Sequence, residues 1–202
     1  MSAQPASPAG EALDERFFAR SVHEVAPELV GCSLRFGEVG GVIVETESYD
    51  RDDPACHAYV GRTPRSEVLF GPPARAYVYL SYGIHSLLNF VCEPEGSAAA
   101  VLIRALEPTW GAGEMARRRG VADPRLLCSG PGRLTEALGI GMEWNRAPLL
   151  EAPFELRGRA SGWRDVEVIA TTRIGISVAT ERPWRFCAAS SAHLSRPVRA
   201  AA

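Results

Sequence analysis

Apolar residues recur along this chain at two different periods. Leu13, Phe17, Val22, Val25 and Leu29 fall at roughly helical spacing within EALDERFFAR (11–20) and SVHEVAPELVG (21–31), which predicts two short helices broken by Pro27 and Gly31. Beyond Gly31 the period shortens to two. SLRFGE, GVIVETESY, RAYVYLSY, IHSLLNFVC, AAAVLIRAL and DVEVIATTRIGISVA (165–179) each read as strands, and helical spacing returns at about 111–119 and 132–139. Helices do not separate the strands one by one, which argues against a doubly wound parallel sheet. The pattern predicts one α+β domain over residues 11–202, with a curved, mainly antiparallel sheet flanked by helices and a protruding β-hairpin. Residues 1–10, rich in Ala, Pro and Ser, are expected to be a disordered lead.

Alternation also sorts side chains by face. Glu45, Glu47 and Tyr49 project one way and Val44, Thr46 and Ser48 the other. Two carboxylates beside a tyrosine fit either a solvated sheet face or a cleft that holds a general base, its proton affinity set by partial burial and by its neighbours. Spacing does not choose between Glu45 and Glu47. In RAYVYLSYGIHSLLNF, Tyr77 and Tyr79 share a face, and Tyr77 reads as core. Tyr82 precedes Gly83 at what reads as a two-residue hairpin turn, where a large aromatic has little to pack against. Such a residue can wedge into a duplex and fill the space of a displaced base. On the returning strand Asn89 shares a side with His85, Leu87 and Val91. Arg104 ends an apolar strand, a position from which an arginine reaches past a core to an anion.

Composition narrows the partners. The chain has 202 residues, 46% of them hydrophobic, enough for a sizeable core. A formal charge of −2 gives no global basic field, so any binding of nucleic acid has to come from a local patch. All 22 basic residues are arginines, because the chain contains no lysine. The five cysteines form no C-x-x-C pair and read as reduced thiols. MSAQPASPAGEALDE lacks a basic segment followed by an apolar one, and no apolar run approaches the roughly 18 residues of a membrane span. The expectation is a cytoplasmic protein with no membrane partner.

The loop DRDDPACHAYVGRTPR gathers Asp50, Asp52, Asp53 and His57 with Arg51, Arg62 and Arg65. A metal site is one reading, but Pro54 breaks any helix that would align the ligands and no second histidine lies nearby. A polar surface loop is another. The preferred reading is a loop folded over the strand, with His57 as a hydrogen-bonding side chain and Arg62 and Arg65 available for phosphate. CSGPGRLTEALGI reads as a turn feeding a helix whose first amides, with Arg133, could hold a phosphate. Arg117, Arg118 and Arg119 read as a solvated helix face.

Taken together, VETESYDRDDPACHAYVGRTPR, LFGPPARAYVYLSYGIHSLLNFVCEPEG, AVLIRALEP, LCSGPGRLTEALGI and RIGI followed by PWRF strongly resemble, in order from about residue 15 to about residue 188, the alkyladenine (3-methyladenine) DNA glycosylase family. The resemblance implies a monofunctional base-excision repair enzyme. It would remove alkylated purines such as 3-methyladenine, and in many members hypoxanthine, from double-stranded DNA, acting as a monomer without metal or organic cofactor. Glu47 matches the family's general base, and Tyr49, His57 and Tyr79 match the residues that enclose the flipped base. Tyr82 matches the intercalating tyrosine, which makes the hairpin a DNA-binding element. Asn89 matches the position that crowds the exocyclic amine of guanine, and Arg104 an arginine beside the base pocket and the DNA backbone, where Arg65 and Arg133 are also expected. Cys56 and Cys187 depart from the family's usual residues, and Arg133 stands where lysine is common. Glycosylases that also nick the strand use an amine to form a Schiff base, and without lysine only the N-terminal amine remains, so hydrolysis without strand cleavage is expected. Two other readings are a carbohydrate glycosidase using Glu45 and Glu47 as its carboxylate pair, and a non-catalytic module that binds damaged DNA.

Overall fold

A computed structural model describes residues 10–198. Apart from Gly10, the expected disordered lead lies outside the described residues. In chain order the elements are α1 (Glu15–Phe18), α2 (Val22–Leu29), β1 (Ser33–Phe36), β2 (Val39–Tyr49), β3 (Ala76–Ser81), β4 (His85–Cys92), β5 (Ala99–Trp110), α3 (Ala112–Arg119), α4 (Pro124–Leu127), α5 (Pro131–Leu138), β6 (Phe154–Arg157), β7 (Val168–Thr171) and β8 (Arg185–Ala188).

The strands form one sheet in the order β3-β4-β5-β2-β1-β6, and every pairing is antiparallel. The α+β expectation holds. β2 is the hinge of this sheet. One edge pairs with β5, while the other pairs first with β1 through residues 39–42 and then with β8 through residues 45–47. The change of partner needs a bent strand, and the register against β5 slips at Gly40/Gly41 and again around Glu45. A Cβ on Gly41 would sit 2.2 Å from the Glu107 carbonyl oxygen, so only glycine permits that approach.

Alternation gives the sheet two different faces. Ile43, Val78, Leu88, Phe90, Val101 and Ile103 point into the main core and pack there with Phe18, Val25 and Leu29 from the first helices and Met115 and Leu134 from α3 and α5. Tyr77, Val91 and Ala100 on the opposite face form a smaller cluster with Cys56, Leu69 and Phe70 from the 50–70 loop. The second face is therefore the one where polar residues could be gathered.

Several expectations about elements need correction. Pro27 does not break the second helix but lies inside α2. The carbonyls freed near that helix end are satisfied from outside: Thr46 Oγ1 donates to Ala26, Arg159 Nη2 to Pro27 and Arg159 Nε to Val30. Residues 165–179 are not one strand, since only Val168–Thr171 pairs. Arg173 turns inward to Asp53, the Ile174 amide bonds a carboxylate instead of a neighbouring strand, and Gly175 has φ +81°. At the hairpin, Ile84 N–H donates to the Ser81 carbonyl over Tyr82 and Gly83, but the strands pair as Ser81 with His85, so the loop holds three residues. β6 and β8, four residues each, lie outside the segments whose alternation predicts a strand.

Candidate active site

Strand register lays out the site. The Cα pairs Tyr77–Asn89, Asn89–Leu102, Leu102–Glu47 and Glu47–Arg185 form one continuous row across β3, β4, β5, β2 and β8. Directly opposed residues share a face, so this row sets aromatic, amide, apolar, carboxylate and guanidinium groups side by side away from the main core. A cavity of about 980 Å³ opens over it.

At one end of the row lies a buried quartet of charges. Glu45 and Glu47 have no exposed surface, and Arg104 and Arg185 are 5% and 4% exposed. Arg104 Nε donates to Glu45 Oε1 at 3.0 Å and its Nη1 to Glu47 Oε2 at 3.2 Å. Arg185 Nε donates to Glu45 Oε1 at 2.7 Å. Two carboxylates thus balance two guanidiniums, which is what makes burial of four charges tolerable. A solvated sheet face is ruled out. Nor do the two glutamates face each other across a cleft, as a carbohydrate glycosidase requires, because they share one guanidinium.

The two carboxylates differ in environment. Burial pushes the Glu47 carboxyl up, and although Arg104, the Ile174 amide and the Tyr49 hydroxyl pull the other way, its pKa stays above the ordinary glutamate value. Burial acts in the same sense on Glu45, but Arg104, Arg185 and two bonds from Ser195 more than offset it and hold Glu45 below that value. Glu47 is therefore the better base. Tyr49 Oη donates to Glu47 Oε2 at 2.7 Å, and Ile174 N–H to Oε1 at 2.8 Å. Tyr49, Arg104 and Ile174 all line the cavity, so Glu47 sits directly behind its wall.

The rest of the wall is aromatic. His57 Nδ1 lies 2.8 Å from the Tyr77 hydroxyl, and its ring stands edge-on to Tyr79 with centroids 4.6 Å apart. Burial, with help from Arg65, pushes the His57 pKa down to about 4, so the ring is neutral near pH 7. Tyr77 and Tyr79 stack at 5.4 Å, and burial pushes both phenols up to about 12. Asn89 Nδ2 donates to the Tyr77 carbonyl at 3.1 Å, which pins the amide in the sheet; Asn89 is buried, not at an edge. Behind Tyr49, the fully buried Arg173 pairs with Asp53 and lies 4.6 Å from the Tyr49 ring centre. That pair ties the His57 loop to the loop that carries Ile174. With Asp53 on Arg173 and Asp50 on His23, these aspartates are structural partners and not a ligand set.

The cavity rim carries the remaining expected residues. Tyr82 is 89% exposed at the hairpin tip, and Arg65 and Arg133 are exposed beside the opening with the first residues of α5. Arg104 lines the cavity, but its guanidinium is taken by Glu45, Glu47 and Ser195 and is not offered to a phosphate. The arginine run also behaves as a structured face. Arg117 and Arg118 pair with Glu114, and Arg119 with Glu136.

Sequence reasoning missed five contributors. Tyr77 is buried as a core residue should be, yet its hydroxyl holds His57. Arg173, Ile174, Arg185 and Ser195 lie far along the chain from Glu47, in short or irregular segments without a period. For Arg173, Ile174 and Arg185 the only signal was the blocks RIGI and PWRF, which contain them; Ser195 lies outside both.

The family described as Methylpurine-DNA glycosylase matches residues 16–192. A protein of Rhodopseudomonas palustris (strain ATCC BAA-98 / CGA009) named "Putative 3-methyladenine DNA glycosylase" is 57% identical over 188 residues, which cover 93% of this chain and 90% of the relative. Proteins with the same name from Bradyrhizobium diazoefficiens and Nitrosospira multiformis are 55% and 53% identical, over 93% and 90% of this chain and 92% and 93% of their own lengths.

Proposed function

The chain belongs to the methylpurine-DNA glycosylase family, and on that premise we propose that it excises alkylated purines, 3-methyladenine among them, from duplex DNA by hydrolysis with Glu47 as general base. The observation that carries this reading is the placement of a buried carboxylate of raised pKa immediately behind a tyrosine-lined cavity.

A base–sugar bond inside a stacked duplex is out of reach, so the nucleotide has to be extruded at a cost of a few kcal/mol. Tyr82, standing free at the hairpin tip, fills the gap that the base leaves. The purine enters between Tyr49 and Tyr79, where stacking contributes about 1–3 kcal/mol. A purine made cationic by alkylation gains a further attraction to these electron-rich rings. Neutral His57 contacts the base edge by a hydrogen bond, and Asn89 limits what fits beside it. Arg65, Arg133 and the α5 amides meet the backbone.

As the bond breaks, positive charge develops on the deoxyribose. Glu47 stabilises it and accepts a proton from the attacking water. Since Glu47 has no exposed surface in the free protein, the entering nucleotide must draw the Tyr49 hydroxyl or the Ile174 amide aside. The missing lysines support hydrolysis without strand cleavage.

Duplexes carrying 3-methyladenine, hypoxanthine, ethenoadenine or no lesion test the reading. Free base is expected from the first, with no enzyme trapped on the DNA by borohydride. Borohydride trapping, or no base released from any of them, would contradict it.

A further inference from the structure

The last described segment reaches back under the catalytic carboxylate. Ser195 N–H donates to Glu45 Oε2 at 2.6 Å, and Ser195 Oγ donates to Glu45 Oε1 at 2.7 Å. The same hydroxyl oxygen accepts from Arg104 Nη2 at 3.3 Å. One residue on, the Arg196 carbonyl accepts from Arg185 Nη2 at 2.7 Å. This segment therefore touches three members of the buried quartet, yet Ser195 does not line the cavity.

We propose that Ser195 is a positioning residue for base excision: it fixes Glu45, and through Glu45 it keeps the Arg104 guanidinium shared with Glu47. The inference rests on the glycosylase reading for its consequence in catalysis, but the coupling it describes belongs to the protein itself. Glu45 has competing claims on Arg104. Its oxygens are occupied by Arg185 and by both donors of Ser195, so Arg104 need not swing fully toward it and Nη1 stays on Glu47. Without the Ser195 hydroxyl, Glu45 is left short of a donor and Arg104 is short of its third acceptor. Both losses favour a closer Arg104–Glu45 pair at the expense of Glu47, whose ionised form then loses stabilisation. The other titratable or charged groups facing these carboxylates are Tyr49 on β2, Tyr79 on β3, Cys187 on β8 and Arg173 in the preceding loop, and none of them replaces the lost donor.

The test follows the Glu47 carboxyl directly, by its carbon NMR shift in the free protein as a function of pH, alongside the single-turnover rate of base release across the same range. Ser195→Ala is expected to raise the Glu47 midpoint by about half a pH unit, which lowers the rate about 3-fold on the acid limb and leaves the high-pH plateau nearly unchanged. Ser195→Thr, which keeps the hydroxyl, is expected to restore both. An Ala variant with the wild-type midpoint, or with a rate lowered equally at every pH, would overturn the proposal, because a merely structural contact gives that result. A moved midpoint in a protein that releases no base would sink the glycosylase reading while leaving the coupling in place. An active enzyme with an unmoved midpoint would do the reverse. Should Ser195→Ala reduce the melting temperature, Glu45→Gln supplies a second check. With the charge on Glu45 removed, Arg104 turns to Glu47, the midpoint falls, and adding Ser195→Ala moves it no further.

Discussion

Arg104 Nη1 lies 3.2 Å from Glu47 Oε2, and neither side chain has appreciable contact with solvent. The guanidinium is the only cation bonded to Glu47 among the described residues, and it is shared with Glu45. It works against the effect of burial on the Glu47 carboxyl but is too divided to bring its pKa down to the ordinary glutamate value. Arg104 therefore balances the charge of both buried carboxylates and opposes the rise in the Glu47 pKa.

Removal of this cation leaves two carboxylates facing a single remaining guanidinium. Arg104→Met is expected to cost about 3–5 kcal/mol of folding stability, the usual penalty for stranding a buried charge, as read from urea denaturation. Arg117→Ala, on an exposed helix face, is expected to leave the denaturation midpoint where it is.

The raised Glu47 pKa has a definite sign in activity. In the proposed mechanism the working form is the carboxylate, so base release is expected to fall as pH drops through the Glu47 pKa, with the acid limb above the ordinary glutamate value of about 4.3. A rate–pH profile under single-turnover conditions measures this.

His57 is expected to add no second limb near neutrality. With its pKa at about 4, a histidine NMR titration should show no His57 midpoint between pH 5 and 8. The depressed value also means that, between about 6.5 and about 4, the unfolded chain binds the extra proton more readily, so this group's contribution to stability is lost as the solution is acidified.

Substitution of Tyr82 is expected to separate binding from folding. The residue is 89% exposed and its backbone sits at φ +52°, a strained conformation for a non-glycine residue. Tyr82→Ala is expected to change stability by less than about 0.5 kcal/mol while weakening retention of lesion-containing duplex, measured by a binding titration at fixed salt.

The sequence made the regular parts legible and left the irregular ones dark, for a physical reason. Alternation alone placed Glu45, Glu47 and Tyr49 on one face, and Asn89 with His85, because a sheet's geometry has a period of two. It could not tell a wet face from a buried one, since burial here depends on Arg104, Arg185 and Ser195, which lie 57 to 150 residues away in the chain. The same limit explains the false strand over 165–179. Val168–Thr171 alternates as a strand should, but the buried pairing of Arg173 with Asp53 pulls the following residues out of the sheet and over the site. Tyr77 shows a third case, in which a residue is core by burial and part of the site by its hydroxyl.

The most direct test of the account is the release of free 3-methyladenine from alkylated duplex DNA by the wild-type protein and by Glu47→Gln under single-turnover conditions. The account predicts release by the wild type and a loss of about 10²–10⁴-fold in the variant, with lesion binding retained. Release by Glu47→Gln at the wild-type rate would contradict it.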